Sequence, residues 1–357
     1  MRASILALFL LCASVLTVQA QTADVVMGEV AVANRSDATR AAALPQVFAE
    51  AIRRLTPETA PQDRVDLAAA LEADPLVLQR FEYEQVIRPT ASGIPSIKLM
   101  LRAWFNVPKA RSLLVNAGVP VWPGGGVGAT LWLVDDSSDQ RRLVDGNEPG
   151  LLDGLGKALG VQGVRVMPAL NDLEDWRMVD ALSEDGVAEA LPVAALRTGA
   201  EPAVLAWLRA ADTGLVAQWY VHAAGRDHRF TSEGEDIAGT LAAGAPTLLE
   251  LFAAALAVRP ESVIESSADV DRGAGDYVIW LTGLDRAGSY VQALELLRAQ
   301  PMVTGVSPEQ ADGTRVRVRA QVSAPLGQLL ALLAADGRLR VLADKPEDAD
   351  LSLQWQP

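Results

Sequence analysis

The chain has 357 residues, a formal net charge of −14 at pH 7 and a single cysteine. That acidic balance argues against general binding to nucleic acid or anionic lipid, which requires a basic surface. One cysteine excludes an internal disulfide and a cysteine-ligated metal cluster.

The N-terminus reads as an address. Arg2 gives a positive start, Ile5 to Leu16 form a short apolar stretch, and Val18-Gln19-Ala20 offers the small-x-small pattern of a signal-peptidase site. Cleavage is predicted after Ala20, with Gln21 first in the mature chain. The apolar run is about 12 residues, short of the roughly 20 that span a bilayer. Cys12 follows Phe9-Leu10-Leu11, which lacks the small residue that lipid attachment requires, and leaves with the signal. The mature protein is therefore expected in the periplasm, held by its core rather than by disulfides. No later stretch reads as a transmembrane helix. The length suggests two or three domains.

The first unit is predicted over 23–123. Val25 to Val32 alternate as a strand, and Ser36 caps a helix over Asp37 to Leu55, with a break or kink expected at Pro45. A Pro-rich bend precedes a helix near Arg64 to Glu72. Strands over Arg80–Ile87 and Ile97–Phe105 follow, then a helix over Val107–Asn116 stopped by Gly118. With Val119–Trp122 as a last strand, the order is a split β-α-β arrangement.

The second unit is predicted over 129–258. It holds a strand over Thr130–Val134, a helix over Leu151–Leu159, a strand over Val164–Ala169, and helices over Leu173–Leu182 and Val187–Leu196. A hairpin of Ala203–Ala211 and Leu215–Ala223 turns at Asp212-Thr213-Gly214, with His228–Ser232 as a third strand. A helix over Ile237–Ala257 closes the unit. Residues 259–275 read as a polar linker. The third unit, 276–345, gives β-α-β-β-α-β order and a ferredoxin-like expectation, followed by a tail over 346–357. The fold class is α+β: several domains with mixed or antiparallel sheets, and helices on one face.

The chemical candidates are few. Gly124, Gly125, Gly126 and Gly128 lead into a strand rather than a helix, and no Gly-Lys-Ser/Thr ending follows. Both phosphate-cradling patterns are thereby excluded, and the glycines read as a flexible joint between units. In "NDLEDW", Asp172, Glu174 and Asp175 could serve acid/base or metal chemistry, but Asn171 as N-cap with Glu174 three residues on reads as capping. "DDSSD" (Asp135 to Asp139) lacks the glycine and glutamate of a calcium loop and reads as a turn. Of the two histidines, His222 lies in a strand and His228 in a turn; neither has zinc-ligand spacing. No catalytic residue, cofactor or metal is assigned.

In "TRVRVRAQV", strand alternation places Arg315, Arg317 and Arg319 on one face, and Arg338 and Arg340 repeat the alternation in the last strand. This open face could dock an acidic partner, an anionic envelope polymer or the second unit, or could simply be solvated. It lacks the stacking aromatics of an RNA-binding sheet.

The stretches "ANRSDATRAAAL", "LLVNAGVPVWPGG", "LWLVDD", "MPALNDLEDW" and "RTGAEPAVLAWLRAADTGLVAQWYVH" together resemble domain-of-unknown-function family 2066, secreted proteobacterial proteins. The second unit also looks like the N-terminal domain of the Tol system's propeller protein, and is similar to periplasmic lipoproteins that activate penicillin-binding proteins. These resemblances imply a non-catalytic envelope protein acting through contacts with envelope proteins, and carry over no site residues. Two alternatives stay open: an envelope hydrolase using dispersed carboxylates, and a small-molecule binder at a domain junction.

Overall fold

A computed structural model describes residues 25–356 except 90–94, 125, 139, 147, 149, 182, 184–185, 199–201, 261–271, 343–344 and 347. The export signal predicted over 1–20 and most of the linker predicted over 259–275 lie outside the described residues. The chain is α+β and builds three sheets.

In the first sheet, β1 (Val25–Val32), β2 (Leu78–Pro89) and β3 (Pro95–Asn106) lie in the order β1-β3-β2, all neighbours antiparallel. Helix α1 (Asp37–Ile52) starts where Ser36 Oγ accepts the Thr39 amide at 3.2 Å. It runs unbroken through Pro45, against the expected break. Val47, Phe48, Ala51 and Ile52 are fully buried beyond the proline, and that packing holds the helix across the lost backbone bond. Asp66 caps α2 (Leu67–Ala73), and Asn106 caps α3 (Val107–Asn116). Residues 119–122 add no strand. Val121 makes only an isolated bridge to Val258, and the buried Trp122 donates its indole N–H to Gln162 O at 2.6 Å.

The central sheet runs β5-β4-β7-β8-β9, from β4 (Val127–Asp136), β5 (Arg142–Leu143), β7 (Ala203–Ala210), β8 (Leu215–Ala223) and β9 (Arg226–Gly234); β6 (Val164–Pro168) pairs beside β4. Helices cover both of its faces rather than one. Val127, Ala129, Leu131 and Leu133 pack with α4 (Asp153–Gly160), α7 (Ile237–Ala243) and α8 (Ala245–Leu256). The alternate residues Trp132 and Val134 pack with α5 (Leu173–Ala181) and α6 (Val187–Thr198). Two buried faces explain why β4 and β7 read as continuous apolar runs.

The helix expected over Ile237–Ala257 is broken. At Gly244 a side chain would meet the Trp219 ring at 2.6 Å, so the chain turns there and Pro246 opens α8. Residues Ile237–Leu256 are long and apolar enough to cross a membrane by composition alone, contrary to the sequence expectation. In the fold they lay Leu241, Leu248 and Phe252 against the sheet.

The third sheet runs β11-β12-β10-β14-β13, from β10 (Gly275–Thr282), β11 (Val303–Asp312), β12 (Arg315–Val322), β13 (Leu339–Val341) and β14 (Leu351–Trp355), with helices α9 (Ala287–Ala299) and α10 (Leu326–Asp336). It departs from ferredoxin-like order at the end. A ferredoxin-like sheet would set β13 beside β10; here β14, from the segment read as a tail, inserts between them and runs parallel to β10. The reason is alternation: Leu351, Leu353 and Trp355 are buried and supply an apolar face.

The first and third sheets share an arrangement. β1-α1-β2-β3-α3 and β10-α9-β11-β12-α10 both place the later strand between two parallel ones, and the equivalent helices α3 and α10 pack together. One hydrophobic core joins the two, from Phe48, Leu101 and Leu114 to Leu281, Leu297 and Leu333.

Candidate functional site

The glycine segment is not a free joint. Gly124 N–H donates to Ala335 O at 2.8 Å, and Arg111 of α3 donates to Gly124 O and lies 3.9 Å from Asp336. Gly126 has φ +114 and faces the Gly163 carbonyl; Gly163, at φ +75, in turn leaves no space for a side chain against Arg54 O. Three parts of the chain close on one another here, and only glycine permits both the backbone angle and the approach. Gly128 belongs to β4. A junction cavity of about 390 Å³ opens beside Gly124 and Gly163, lined by Val25, Leu55 and Val107 together with Arg54 and Arg165.

The acidic cluster is structural. Asp172, not Asn171, is the capping residue: its Oδ1 accepts the amides of Glu174 at 3.1 Å and Asp175 at 3.0 Å. The Asp172 amide reaches back to Asp175 Oδ2 at 3.4 Å, so the reciprocal pair is Asp172 with Asp175. Asn171 instead takes φ +55, which turns the chain into the helix. Asp175 is buried, accepts the Trp132 indole N–H at 2.8 Å and pairs with Arg197, which also pairs with Asp172. The Asp175 amide holds the Asp172 carboxyl below its ordinary range; burial opposes it, and Arg197 and the Glu174 amide add to the lowering. Such a carboxylate stays ionised and is a poor proton donor.

Asp135 and Asp136 close β4, and the turn follows them. Burial pushes the Asp135 carboxyl up, but Ser137 and Arg142 outweigh it and leave the group below its ordinary value. Asp136 accepts the Trp207 indole N–H at 3.0 Å. His222 Nδ1 lies 2.7 Å from Asp227 Oδ1 across the β8–β9 ladder, and His228 sits within β9 rather than in a turn. No group of three His, Cys, Asp or Glu among the described residues is arranged to hold a metal.

The arginine face is real but largely self-neutralised. Strand register puts Arg315, Arg317 and Arg319 on one side of β12, and Arg340 opposite Gln354 on the same side. Arg315 pairs with Asp312 at 2.6 Å and lies over the Trp280 ring; Arg319 pairs with Glu309 at 2.6 Å. Arg317 bridges Asp348 at 2.9 Å and Glu309 at 3.3 Å. Arg338 precedes β13 and pairs with Asp336 at 2.7 Å. An anionic partner would have to displace these carboxylates.

The surface that sequence reasoning missed lies on the central unit. Six of the twelve exposed large apolar side chains among the described residues fall within 167–196: Met167, Leu170 (75% exposed), Leu173 (63%), Trp176, Val193 (66%) and Leu196 (84%). Soluble surfaces rarely gather such residues without a use. A groove of about 500 Å³ runs between α5 and α6, with Met178, Ala190, Val193 and Ala194 in its lining and Glu174, Arg177, Glu189 and Arg197 at its edges. The signal was present in α6, where Ala188, Leu191, Val193 and Leu196 are more apolar residues than one buried face requires.

Residues 20–123 match the model of a domain of unknown function, DUF8605. This match covers β1 through α3, less than a third of the chain, and overturns the resemblance to family 2066: the matched family is a different one. No curated protein and no solved structure matches the chain.

Proposed function

We propose that the chain is an exported, non-catalytic binding or accessory protein of the cell envelope, working in the periplasm through contact with another protein. The observation that carries this reading is the exposed apolar surface over residues 167–196. Four of its six side chains, Leu173, Trp176, Val193 and Leu196, sit on α5 and α6, whose opposite faces are anchored in the core by Val179, Val187 and Leu191, so these four are a fixed feature of the fold. The periplasmic location rests on the signal pattern ending at Ala20. The carboxylates best placed for hydrolysis are already engaged: Asp175 by Trp132 and Arg197, and Glu174 by Arg177 at 2.6 Å. The test is a photo-crosslinking side chain at Leu196 or at Trp176 in living cells, with Glu72 on exposed α2 as reference. A discrete protein adduct from the first two positions and none from the third is expected; adducts from no position would refute the reading.

The junction cavity favours a second reading. Arg54, which also donates to Met27 O and pairs with Glu50, and Arg165 line this cavity together with Val25, Val26, Leu55 and Val107, a composition suited to a small carboxylate-bearing molecule. A thermal-shift screen of small dicarboxylates against the protein and its Arg165→Ala variant tests it; no stabilisation, or equal stabilisation of both, would discard it.

A further inference from the structure

We propose that the groove between α5 and α6 receives an amphipathic, basic helix of the partner protein, an inference that rests on the contact role above and names the partner's chemistry. Its walls are helical. Glu174, Arg177 and Met178 from α5, and Glu189, Ala190, Val193 and Arg197 from α6, line it at three- and four-residue spacing. Ridges at that spacing accept the ridges of another helix rather than a flat strand. The 12 residues of α6 extend about 18 Å, enough to lie along about three turns of a docked helix. The apolar lining of the groove and the exposed Leu173, Trp176 and Leu196 beside it offer what the apolar face of such a helix would cover.

Charge selects the occupant. The groove is lined by Glu174, Asp175 and Glu189 against Arg177 and Arg197, and both arginines are held by carboxylates. Glu189 is exposed and makes no ion pair among the described residues. A partner that brings lysine or arginine beside its apolar stripe finds this acid waiting. A second copy of this chain, itself at −14, would bring the wrong sign.

The experiment uses the full mature chain and two fluorescein-labelled peptides of about 14 residues, long enough for roughly four helical turns. One is an amphipathic Leu/Lys helix and the other its Leu/Glu counterpart, titrated at physiological salt and read by fluorescence anisotropy. Binding of the Leu/Lys peptide at least about tenfold tighter than the Leu/Glu peptide is expected, with Val193→Asp and Leu196→Asp each weakening it by about tenfold, the cost of placing a charge at an apolar contact. Glu189→Lys should weaken it severalfold, while Glu72→Lys, the same charge change on α2, should not. Equal losses from Glu72→Lys and Glu189→Lys would reduce the effect to bulk attraction and overturn the proposal, as would indifference to both apolar variants. Sedimentation showing a dimer that Leu196→Asp dissolves would assign the groove to a second copy instead. If the peptides fail while crosslinks at Leu196 persist in cells, the partner's chemistry is wrong but the contact role stands; if both fail, the role itself falls.

Discussion

Asp175→Ala removes the carboxylate on which the central unit's outer helices are organised. Its oxygen satisfies the Trp132 indole N–H in the core at 2.8 Å, and a buried donor left without its acceptor costs about 1–3 kcal/mol. It also holds Arg197, whose side chain is 32% exposed. That arginine can turn to water and keep Asp172, so the loss is nearer the surface-pair value of about 1 kcal/mol than the larger cost of a stranded buried charge. The sum is about 3 kcal/mol. Asp175→Asn keeps an acceptor for Trp132 and gives up only the charge, so about 1 kcal/mol is expected. Guanidinium chloride unfolding followed by circular dichroism, with slopes compared to exclude a change of mechanism, measures both. A loss below about 1 kcal/mol for Asp175→Ala, or equal losses for the two variants, would refute the assignment of the Trp132 bond as the larger contribution.

Gly163→Ala should destabilise by more than about 2 kcal/mol, because its Cβ would stand 1.9 Å from Arg54 O and its φ is +75. Gly160→Ala, where nothing lies within 4 Å, should be nearly silent in the same thermal melt. Truncation after Lys345 removes β14 and should abolish cooperative unfolding of the third sheet in calorimetry; a dispensable tail would leave the transition unchanged. Arg319→Ala, by contrast, should change stability by less than about 1 kcal/mol, since its pair with Glu309 is partly open to water. For Asp135, whose folded carboxyl lies below its ordinary 3.8, the stabilisation is complete above that value and lost as pH falls through the lower folded one. Stability curves of the wild type and Asp135→Asn should therefore converge in acid and separate above about pH 4; parallel curves would contradict the direction of the shift.

Periodicity in the sequence located most elements because it is a local property. β1, the Ser36 cap, the β7–β8 hairpin and α3 all follow from alternation, capping side chains or turn glycine within a few residues. What depended on distant packing was not legible. Pro45 is tolerated because of what α1 packs on, and the split at Gly244 is set by Trp219, far off in sequence. At the "ND" of the α5 start, two adjacent residues could each cap, and backbone geometry chose the second. β14 was readable from Leu351, Leu353 and Trp355 but is too short to stand out from a polar segment. The candidate surface was the hardest: an apolar residue on a helix looks the same whether its face is covered or bare, so nothing in the sequence set Leu173 and Leu196 apart. Alternation aligns Arg315, Arg317 and Arg319 along β12 but says nothing about the acids from β11 and residue 348 that meet them.

The inserted strand β14 bears on how the molecule assembles. β10 cannot complete its pairing until residues some 70 positions later arrive, and the first sheet shares its core with that same late-forming sheet. Contacts of such long separation slow folding. The N-terminal half should therefore dwell with apolar surface uncovered while the rest of the polypeptide is delivered, a window in which a chaperone could hold it.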